Sequence, residues 1–492
     1  MGMRERQTLF ESVFQSLEEQ ILSGRLGVGS RLESINELSA RYGVGNRTVR
    51  EVLRALKEKG YIRTEERKAA VVVYRQAETG MAARSVLERR ASILQVYRTA
   101  GVLEPLLLAF CTRFCSEEEL RRMAAEIARL ARKNPEQRGR ACSACLHALV
   151  ERSQNPLLSD LFASLEIYTR IPFFRGRERF VELVAEQNGF GPLGWVMEAL
   201  LTRDTGEIAA RFGALFRCIT AAAEEYLDEM AREFGDTPED PAKAYCWTAE
   251  RGRDHYYMQI TRDLIDKIGM GEYAAGAFLP TEAKLAEEYG VCIATVRKAL
   301  AMLNELGFGQ TVAATGTKVT VQDQRAVMRV IKNKTFKQDT LRYLSGLQLM
   351  ALAIQPAALL AYDAMDGAAR RRLGRELRAS EGIPLELLLQ CVMEFQPLEP
   401  LRTILKETNK LLHWGYYFAF YSEGPASAEL LTQKSLDAFD CLQKNDKQGF
   451  ASTLAGCYCH ILAFVRGHMV RCGLAEAAKI VTPDMLAVGG QC

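Results

Sequence analysis

Histidine is scarce in this sequence, with 5 residues in 492, and so few imidazoles leave little for acid–base catalysis. The sequence also lacks a phosphate-binding glycine loop, a nucleophile elbow and a pair of carboxylates arranged for catalysis. No long α/β segment is present that would hold pyridoxal phosphate on a Schiff-base lysine. These absences argue against an enzyme, and we predict no catalytic residue and no cofactor.

Strong net charge and long apolar runs are also lacking. The net charge is only +3, so any basic site must be local. No uninterrupted apolar run reaches the roughly 18 residues of a spanning helix, and the nearest, 347–362, contains two glutamines and a proline. The N-terminus has no apolar core followed by a small-residue cleavage site. We therefore expect a cytoplasmic protein without a membrane partner.

Cysteine is plentiful, but its 13 residues are odd in number and scattered, which fits a reducing cytoplasm and no disulfide framework. Three groupings have spacings that zinc sites or thiol sensors use: Cys111 with Cys115, Cys142 with Cys145 and His147, and Cys457 with Cys459 and His460. Cysteine alternates there with alanine and leucine, as buried core residues do. We interpret these as core thiols and predict no metal, with a thiol- or zinc-based sensor as the alternative.

A long internal repeat is the most informative feature that is present. Residues 10–61 align with residues 257–308 without a gap, at a constant offset of 247. The two copies share Gly24 and Gly271, the triplets Tyr42-Gly43-Val44 and Tyr289-Gly290-Val291, and the triplets Thr48-Val49-Arg50 and Thr295-Val296-Arg297. A fixed-period match of this length indicates duplication.

The pattern along the chain predicts a mainly α fold in which two winged helix-turn-helix domains, each with a small β-wing, alternate with two all-helical bundle domains. Strand-forming residues are confined to the ends of the repeated units. The expected boundaries are a first winged domain at 8–76, a first helical effector or dimerisation domain at 80–235, a linker at 236–253, a second winged domain at 254–323 and a second helical domain at 330–475.

The first repeated unit has the pattern of a DNA-binding module. Ser34 and Glu37 form a capping-box pair at the start of a short helix, which ends at Gly43. A third helix begins near Asn46, and residues 62–74 supply a two-stranded wing. Two short helices joined by a tight turn are the arrangement whose second helix enters the major groove of DNA.

The third helix has two different faces. Val49, Val52, Leu53 and Leu56 are spaced to face the core, and the neighbouring face carries a cationic stripe of Arg47, Arg50, Arg54 and Lys57. Guanidinium groups pair with guanine or clamp phosphates. The predicted DNA contacts of the first unit are this stripe together with Ser34, Asn36, Asn46, Thr48 and Lys68.

The second unit keeps the core pattern but loses most of the cations. The stripe positions become Ala294, Arg297, Ala301 and Asn304. Residues 1–75 hold 14 lysines and arginines against 10 acids, a net +4, whereas residues 252–323 hold 7 against 9, a net −2. We predict that this unit is a weakened or specialised DNA reader. Its candidate contacts are Thr281, Thr295, Arg297, Lys298, Thr317 and Lys318.

Both units resemble the winged helix-turn-helix of the GntR family of bacterial transcription regulators. The resemblance rests on Arg31-Leu32-Glu33-Ser34, on Leu279-Pro280-Thr281-Glu282 and on the shared triplets above. It implies a regulator that binds a double-stranded DNA operator. The chain departs from the family pattern at Asn36 and Ala283 and at Asn46 and Ile293, where the family usually has arginine.

The helical segments resemble the FCD-type effector domain of the FadR-like subfamily, through Leu103-Glu104-Pro105, His147-Ala148-Leu149 and Asn155-Pro156-Leu157-Leu158. This implies a small organic-acid effector, often held through a metal on an Asp and three His. Only His147 matches that set, since Ser143, Leu193 and Phe216 occupy the other positions and Cys391 replaces His147 in the second copy. Weak effector-binding candidates are Arg98, Glu104, His147, Arg170, His413 and Tyr416.

Members of this family normally form dimers that bind a palindrome. A tandem chain supplies both halves itself, so we predict an intramolecular pseudo-dimer in which the first winged helix dominates, with a further homodimer open. The alternative is a non-catalytic interaction or scaffold protein in which DNA binding has decayed.

Overall fold

The computed structural model describes residues 9–22, 26–42, 44–64, 69–74, 79–130, 135–169, 193–249, 256–269, 271–320, 334–379, 384–412 and 425–483. Helices dominate these residues, and their named strands form two antiparallel hairpins. The predicted fold class, mainly α with two small wings, is confirmed. Two compact units divide the chain, each made mainly of a winged helix and the helical segment that follows it.

The first unit opens with a winged helix that we call the first winged helix. Its elements are α1 (Leu9–Leu22), α2 (Ile35–Tyr42), α3 (Asn46–Glu58), β1 (Ile62–Arg63) and β2 (Val71–Val72). The helical segment consists of α4 (Thr79–Leu87), α5 (Arg90–Cys111), α6 (Glu117–Leu130), α7 (Pro135–Glu151), α8 (Pro156–Thr169), α9 (Leu193–Thr202) and α10 (Thr205–Phe234).

The second unit repeats this order. The second winged helix consists of α11 (Tyr256–Gly269), α12 (Glu282–Tyr289), α13 (Ile293–Glu305), β3 (Gly309–Val312) and β4 (Gly316–Val319). The helical segment that follows consists of α14 (Lys334–Ala364), α15 (Gly367–Ala379), α16 (Pro384–Glu394), α17 (Glu399–Leu412), α18 (Pro425–Gln443) and α19 (Lys447–Arg471).

The two winged helices repeat each other in backbone detail. Gly60 and Gly307, which lie 247 residues apart, have φ angles of 76° and 77°, a left-handed conformation that glycine adopts without strain. The Leu32 N–H donates to the Ala70 carbonyl at 2.8 Å, and the Leu279 N–H donates to the Thr317 carbonyl at 2.9 Å. Because these partners also keep the offset, the repeat extends through the wing, beyond the aligned segment.

A single apolar core stabilises the first winged helix. Leu17 of α1 and Leu38 of α2 are buried in it, and Ile62 and Val72 close it from the wing. With Val49 of α3, the core draws side chains from all three helices and both strands. The mutual orientation of α2 and α3 therefore depends on apolar packing, which contributes roughly 25 cal/mol for each Å² of apolar surface removed from water.

Long, apolar helices form the cores of the helical segments. In the first, α5 packs against α10, and in the second α14 packs against α19. Within the described residues, three helical stretches are long and apolar enough to cross a membrane by length and composition: Arg90–Phe114, Phe336–Ala364 and Lys447–Arg471. This corrects the expectation that no segment was apolar enough. In the stretch 336–364, 89% of the apolar window is buried within the protein, so packing in the core accounts for its composition.

Candidate nucleic-acid interface

A capping box fixes the start of α2, as the sequence predicts. The Ser34 backbone N–H donates to Glu37 Oε2 at 2.8 Å, and the Glu37 N–H donates to Ser34 Oγ at 3.3 Å. Hydrogen bonds from the Ser34 N–H and hydroxyl lower the pKa of Glu37, so its carboxylate stays ionised at neutral pH. The box therefore orients α2 where it meets the start of α3.

The α3 helix, which we call the first recognition helix, has a fully buried face. Val49, Val52 and Leu56 are 0% exposed, and Leu53 packs partly buried against the same core. These spacings are the ones that the sequence predicted to face the core. Burial on this side leaves the other side of α3 to solvent.

The exposed side of α3 carries the cationic stripe. Arg47, Arg50, Arg54 and Lys57 are all solvent-exposed. Arg47 Nε donates to Glu51 Oε1 at 3.1 Å, within the same helix. Such an exposed pair contributes little to stability, so a phosphate can compete for the arginine.

The structure also brings Asn36 and Asn46 together. Asn46 Nδ2 donates to Asn36 Oδ1 at 3.1 Å, and both side chains are exposed between α2 and α3. Thr48 follows on α3, partly exposed. An amide at the first turn of α3, hydrogen-bonded to a second amide on α2, suits contacts with base edges. The remaining predicted contact of this unit, Lys68, lies outside the described residues.

The second winged helix has the same helix pair with different capping. Thr281 Oγ1 accepts from the Lys284 N–H at 3.3 Å at the start of α12, and Gly290, at φ 62°, ends that helix in the left-handed conformation. The α13 helix, the second recognition helix, buries Val296, Ala299 and Leu303. Its Thr295 is partly exposed, and its hydroxyl lies 3.2 Å from Cys292 Sγ.

The candidate cations of the second winged helix differ from those of the first. Arg297 Nε donates to Glu282 Oε2 of α12 at 2.7 Å. Lys298 is exposed and Lys318 is partly exposed. Thr317 is only 5% exposed, and its hydroxyl shares a hydrogen bond with Thr311 at 3.3 Å. Its side chain supports the wing and is not presented to a ligand.

In the first helical segment, a polar cluster forms around Glu166 of α8. Ser143 Oγ donates to Glu166 Oε1 at 2.7 Å, and His147 Nε2 lies 2.5 Å from Glu166 Oε2. Glu104 of α5 is 6% exposed; burial, and then the charge of Glu166, raise the pKa of its carboxyl well above the usual range. The structure thus brings Glu104 and His147 near a carboxylate that the sequence analysis missed.

Of the other effector candidates, Arg98 is described, and it does not join this cluster. Arg98 is exposed on α5, with Nη2 3.9 Å from Glu224 Oε1, as expected of a surface arginine. Arg170, His413 and Tyr416 lie outside the described residues.

The cysteine groupings are mostly buried. Cys111, Cys115, Cys142 and Cys457 are buried, whereas Cys145 is partly exposed. Burial raises the pKa of Cys142 to about 12, so it is a neutral thiol at neutral pH. Within the part of the chain that the structure describes, no three His, Cys, Asp or Glu side chains are placed to hold a metal ion. The burial of four of these thiols favours a role in the core.

Two carboxylates near the candidate cations were missed in the sequence analysis. Glu51 lies four residues after Arg47, a spacing at which opposite charges pair on a helix, so that pair was open to prediction. Glu282 lies 15 residues before Arg297, on another helix. Only the packing of α12 against α13 brings it to the arginine.

Comparison with known proteins identifies the repeated unit. The family model "Bacterial regulatory proteins, gntR family" matches residues 9–72 and 256–319, which are again 247 apart. Over 74 residues, or 15% of the chain, the protein is 40% identical to the HTH-type transcriptional repressor NanR of Klebsiella aerogenes. Over 121 residues, or 24% of the chain, it is 31% identical to the HTH-type transcriptional regulator SmoD of Agrobacterium fabrum.

The sequence likenesses cover only parts of the two curated relatives. The chain spans 28% of the length of NanR and 51% of that of SmoD. Among solved structures, McbR/YncC of E. coli matches 44% of the chain and 99% of its own, at 16% identity and a TM-score of 0.24. That score is too low to support a common overall arrangement. The two family matches and the two winged helices together show that the chain carries the domain of the gntR family of bacterial regulatory proteins twice.

Proposed function

We propose that the protein is a sequence-specific, DNA-binding transcription regulator in which the first winged helix provides most of the affinity. The observation that carries this proposal is the first recognition helix, which buries Val49, Val52 and Leu56 and exposes four cations on its other side. Cations in a stripe displace counterions from DNA phosphates, and that release dominates affinity. The two curated relatives, a transcriptional repressor and a transcriptional regulator, agree with this role.

The same proposal includes one chain acting as an intramolecular pseudo-dimer. Each chain carries two winged helices, the number that a dimer with one winged helix per subunit brings to its operator. The helical segments are proposed to bind a small-molecule effector that changes DNA affinity, which requires the effector to prefer one of two arrangements. The cluster around the Glu166 carboxylate includes the buried carboxyl group of Glu104, so we place an organic acid away from it.

Selection of genomic DNA by the purified full-length protein tests the proposal. We expect the Arg47→Ala/Arg50→Ala variant to lose selected DNA, since two guanidinium groups leave the stripe. An Arg122→Ala variant, which removes an exposed arginine of α6, serves as the matched control and should keep the site. Salt titration should show a weaker dependence in Arg50→Ala, by about one unit of the logarithmic slope for each lost phosphate contact.

Two results would contradict the proposal. If the wild type recovers no discrete sequence, or if the double variant and the control bind equally well, DNA recognition does not reside in the first winged helix.

A further inference from the structure

The second recognition helix exposes apolar side chains where the first exposes polar and charged ones. Ile293 begins α13 and is 42% exposed, at the position where the first winged helix has Asn46. Ala294 and Ala301 are exposed where the first has Arg47 and Arg54. This surface is built on a packed winged helix, because Val296 and Leu303 on the opposite side are fully buried.

Arg297, the arginine that remains in this helix, is hydrogen-bonded to a carboxylate of the neighbouring helix α12. Its Nε donates to Glu282 Oε2 at 2.7 Å, and this bond leaves the two Nη atoms for a ligand. Both partners stay accessible, with side chains 69% and 41% exposed. The first winged helix has no carboxylate at this position, since Ile35 aligns with Glu282.

A held guanidinium and an exposed β-branched side chain suit base edges better than phosphates. The planar Nη pair of an arginine matches O6 and N7 of guanine, and an apolar side chain in the major groove contacts the C5 methyl group of thymine. An arginine whose orientation is already fixed loses less side-chain entropy on binding. The low charge of this winged helix, −2 over residues 252–323, opposes strong phosphate binding.

We infer that the second winged helix contributes base specificity while adding little affinity: Glu282 is a positioning residue that holds Arg297 for a guanine, and Ile293 contacts a thymine methyl group. This inference rests on the proposed function. It assigns the second half-site a guanine beside thymine in duplex DNA, and it makes that half-site differ in sequence from the first.

Base analogues in the selected duplex test the inference with the full-length protein. Replacing guanine by a deazaguanine that lacks N7 removes one acceptor, and replacing thymine by deoxyuridine removes one methyl group. At one guanine of the second half-site, we expect the deazaguanine to lower the affinity of the wild type roughly 10-fold. The same replacement should leave the affinity of Arg297→Ala unchanged. At one thymine we expect a loss of roughly 3-fold that is absent in Ile293→Ala.

Glu282 is tested with matched variants. Glu282→Gln should weaken the discrimination against deazaguanine, Glu282→Asp should restore part of it, and Glu287→Gln, an exposed neighbour on α12, should keep it. The salt dependence should be the same in all three, because none of them changes a phosphate contact. A merely structural role for Glu282 would not alter discrimination between base analogues.

Two failures remain distinguishable. If analogues at every position affect Arg297→Ala and Glu282→Gln as they affect the wild type, while Arg47→Ala/Arg50→Ala abolishes binding, the inference is wrong and the proposed function stands. If Arg47→Ala/Arg50→Ala leaves binding unchanged, the proposed function itself is wrong.

Discussion

Glu104 is a buried carboxyl group in the middle of a long apolar helix, directly before Pro105. In the second helical segment, a proline inside α14, Pro356, follows a buried Gln355. The two copies thus place a carboxyl and an amide at comparable positions, after Leu103 and Ile354 respectively. A buried carboxylate without compensation is costly, whereas a neutral amide is not subject to ionisation.

We expect Glu104→Gln to stabilise the first helical segment at neutral pH. Burial and the charge of Glu166 raise the folded-state pKa of Glu104, so the folded state binds more protons than the unfolded state between the two pKa values. The stability contributed by this group is complete below the unfolded pKa and is lost as the pH rises through the folded pKa. Hydrogen exchange of α5 amides should therefore be slower in the variant near pH 7.5, with a smaller difference near pH 5.5.

Glu198→Gln is the control for this prediction, because Glu198 is exposed on α9. The α5 amides of this variant should exchange at the same rate as those of the wild type at both pH values. Faster exchange in Glu104→Gln near neutral pH would mean that the carboxylate is stabilised where it lies, against the direction of the pKa shift.

Among the secondary-structure elements, the two faces of α3 could be predicted from the sequence, whereas the surroundings of α13 could be predicted only in part. Local spacing places Val49, Val52 and Leu56 on one side of a helix and the cationic stripe on the other, because the helical period alone determines which residues share a face. The pair between Arg297 and Glu282 depends on the angle at which two helices pack. No local pattern encodes that angle, and the polar cluster of Glu166 with His147 and Ser143 was missed for the same reason.

The two recognition helices should be equal in stability and unequal in DNA binding. Val49 and Val296 align, and both are 0% exposed. Replacing either by alanine should lower the free energy of unfolding of its own winged helix by about 2 kcal/mol, through lost burial and a small cavity. Hydrogen exchange resolved by segment in rising urea would measure both losses separately.

Arg50→Ala and Arg297→Ala are the matched surface variants. Each should change the unfolding free energy by less than about 0.5 kcal/mol, since exposed side chains and exposed ion pairs contribute little. A loss in Arg297→Ala as large as that in Val296→Ala would contradict this expectation. It would assign the pair with Glu282 a structural role.

Across the whole molecule, charge is distributed unevenly. The whole chain has a net charge of +3, but residues 1–75 carry +4 and residues 252–323 carry −2. Two identical winged helices would each contribute cations to a palindrome, whereas this chain concentrates them in one. Duplication within one chain explains how the halves can differ, because each copy changes without altering the other.

The stoichiometry of the DNA complex tests the pseudo-dimer. We expect one chain to bind each duplex that contains both half-sites, because the chain itself carries two winged helices. Native mass spectrometry should then show the duplex mass increased once by 55.0 kDa. A shorter duplex with the first half-site alone should bind the same single chain, with less discrimination between sequences.

Two chains on the full duplex would contradict the pseudo-dimer and indicate a homodimer of tandem chains. The Arg47→Ala/Arg50→Ala variant separates the two arrangements further. In a pseudo-dimer, mixing it with wild type should give only bound wild-type chains. In a homodimer, the same mixture should also give complexes that contain one chain of each kind, because an intact partner would hold the variant on the DNA.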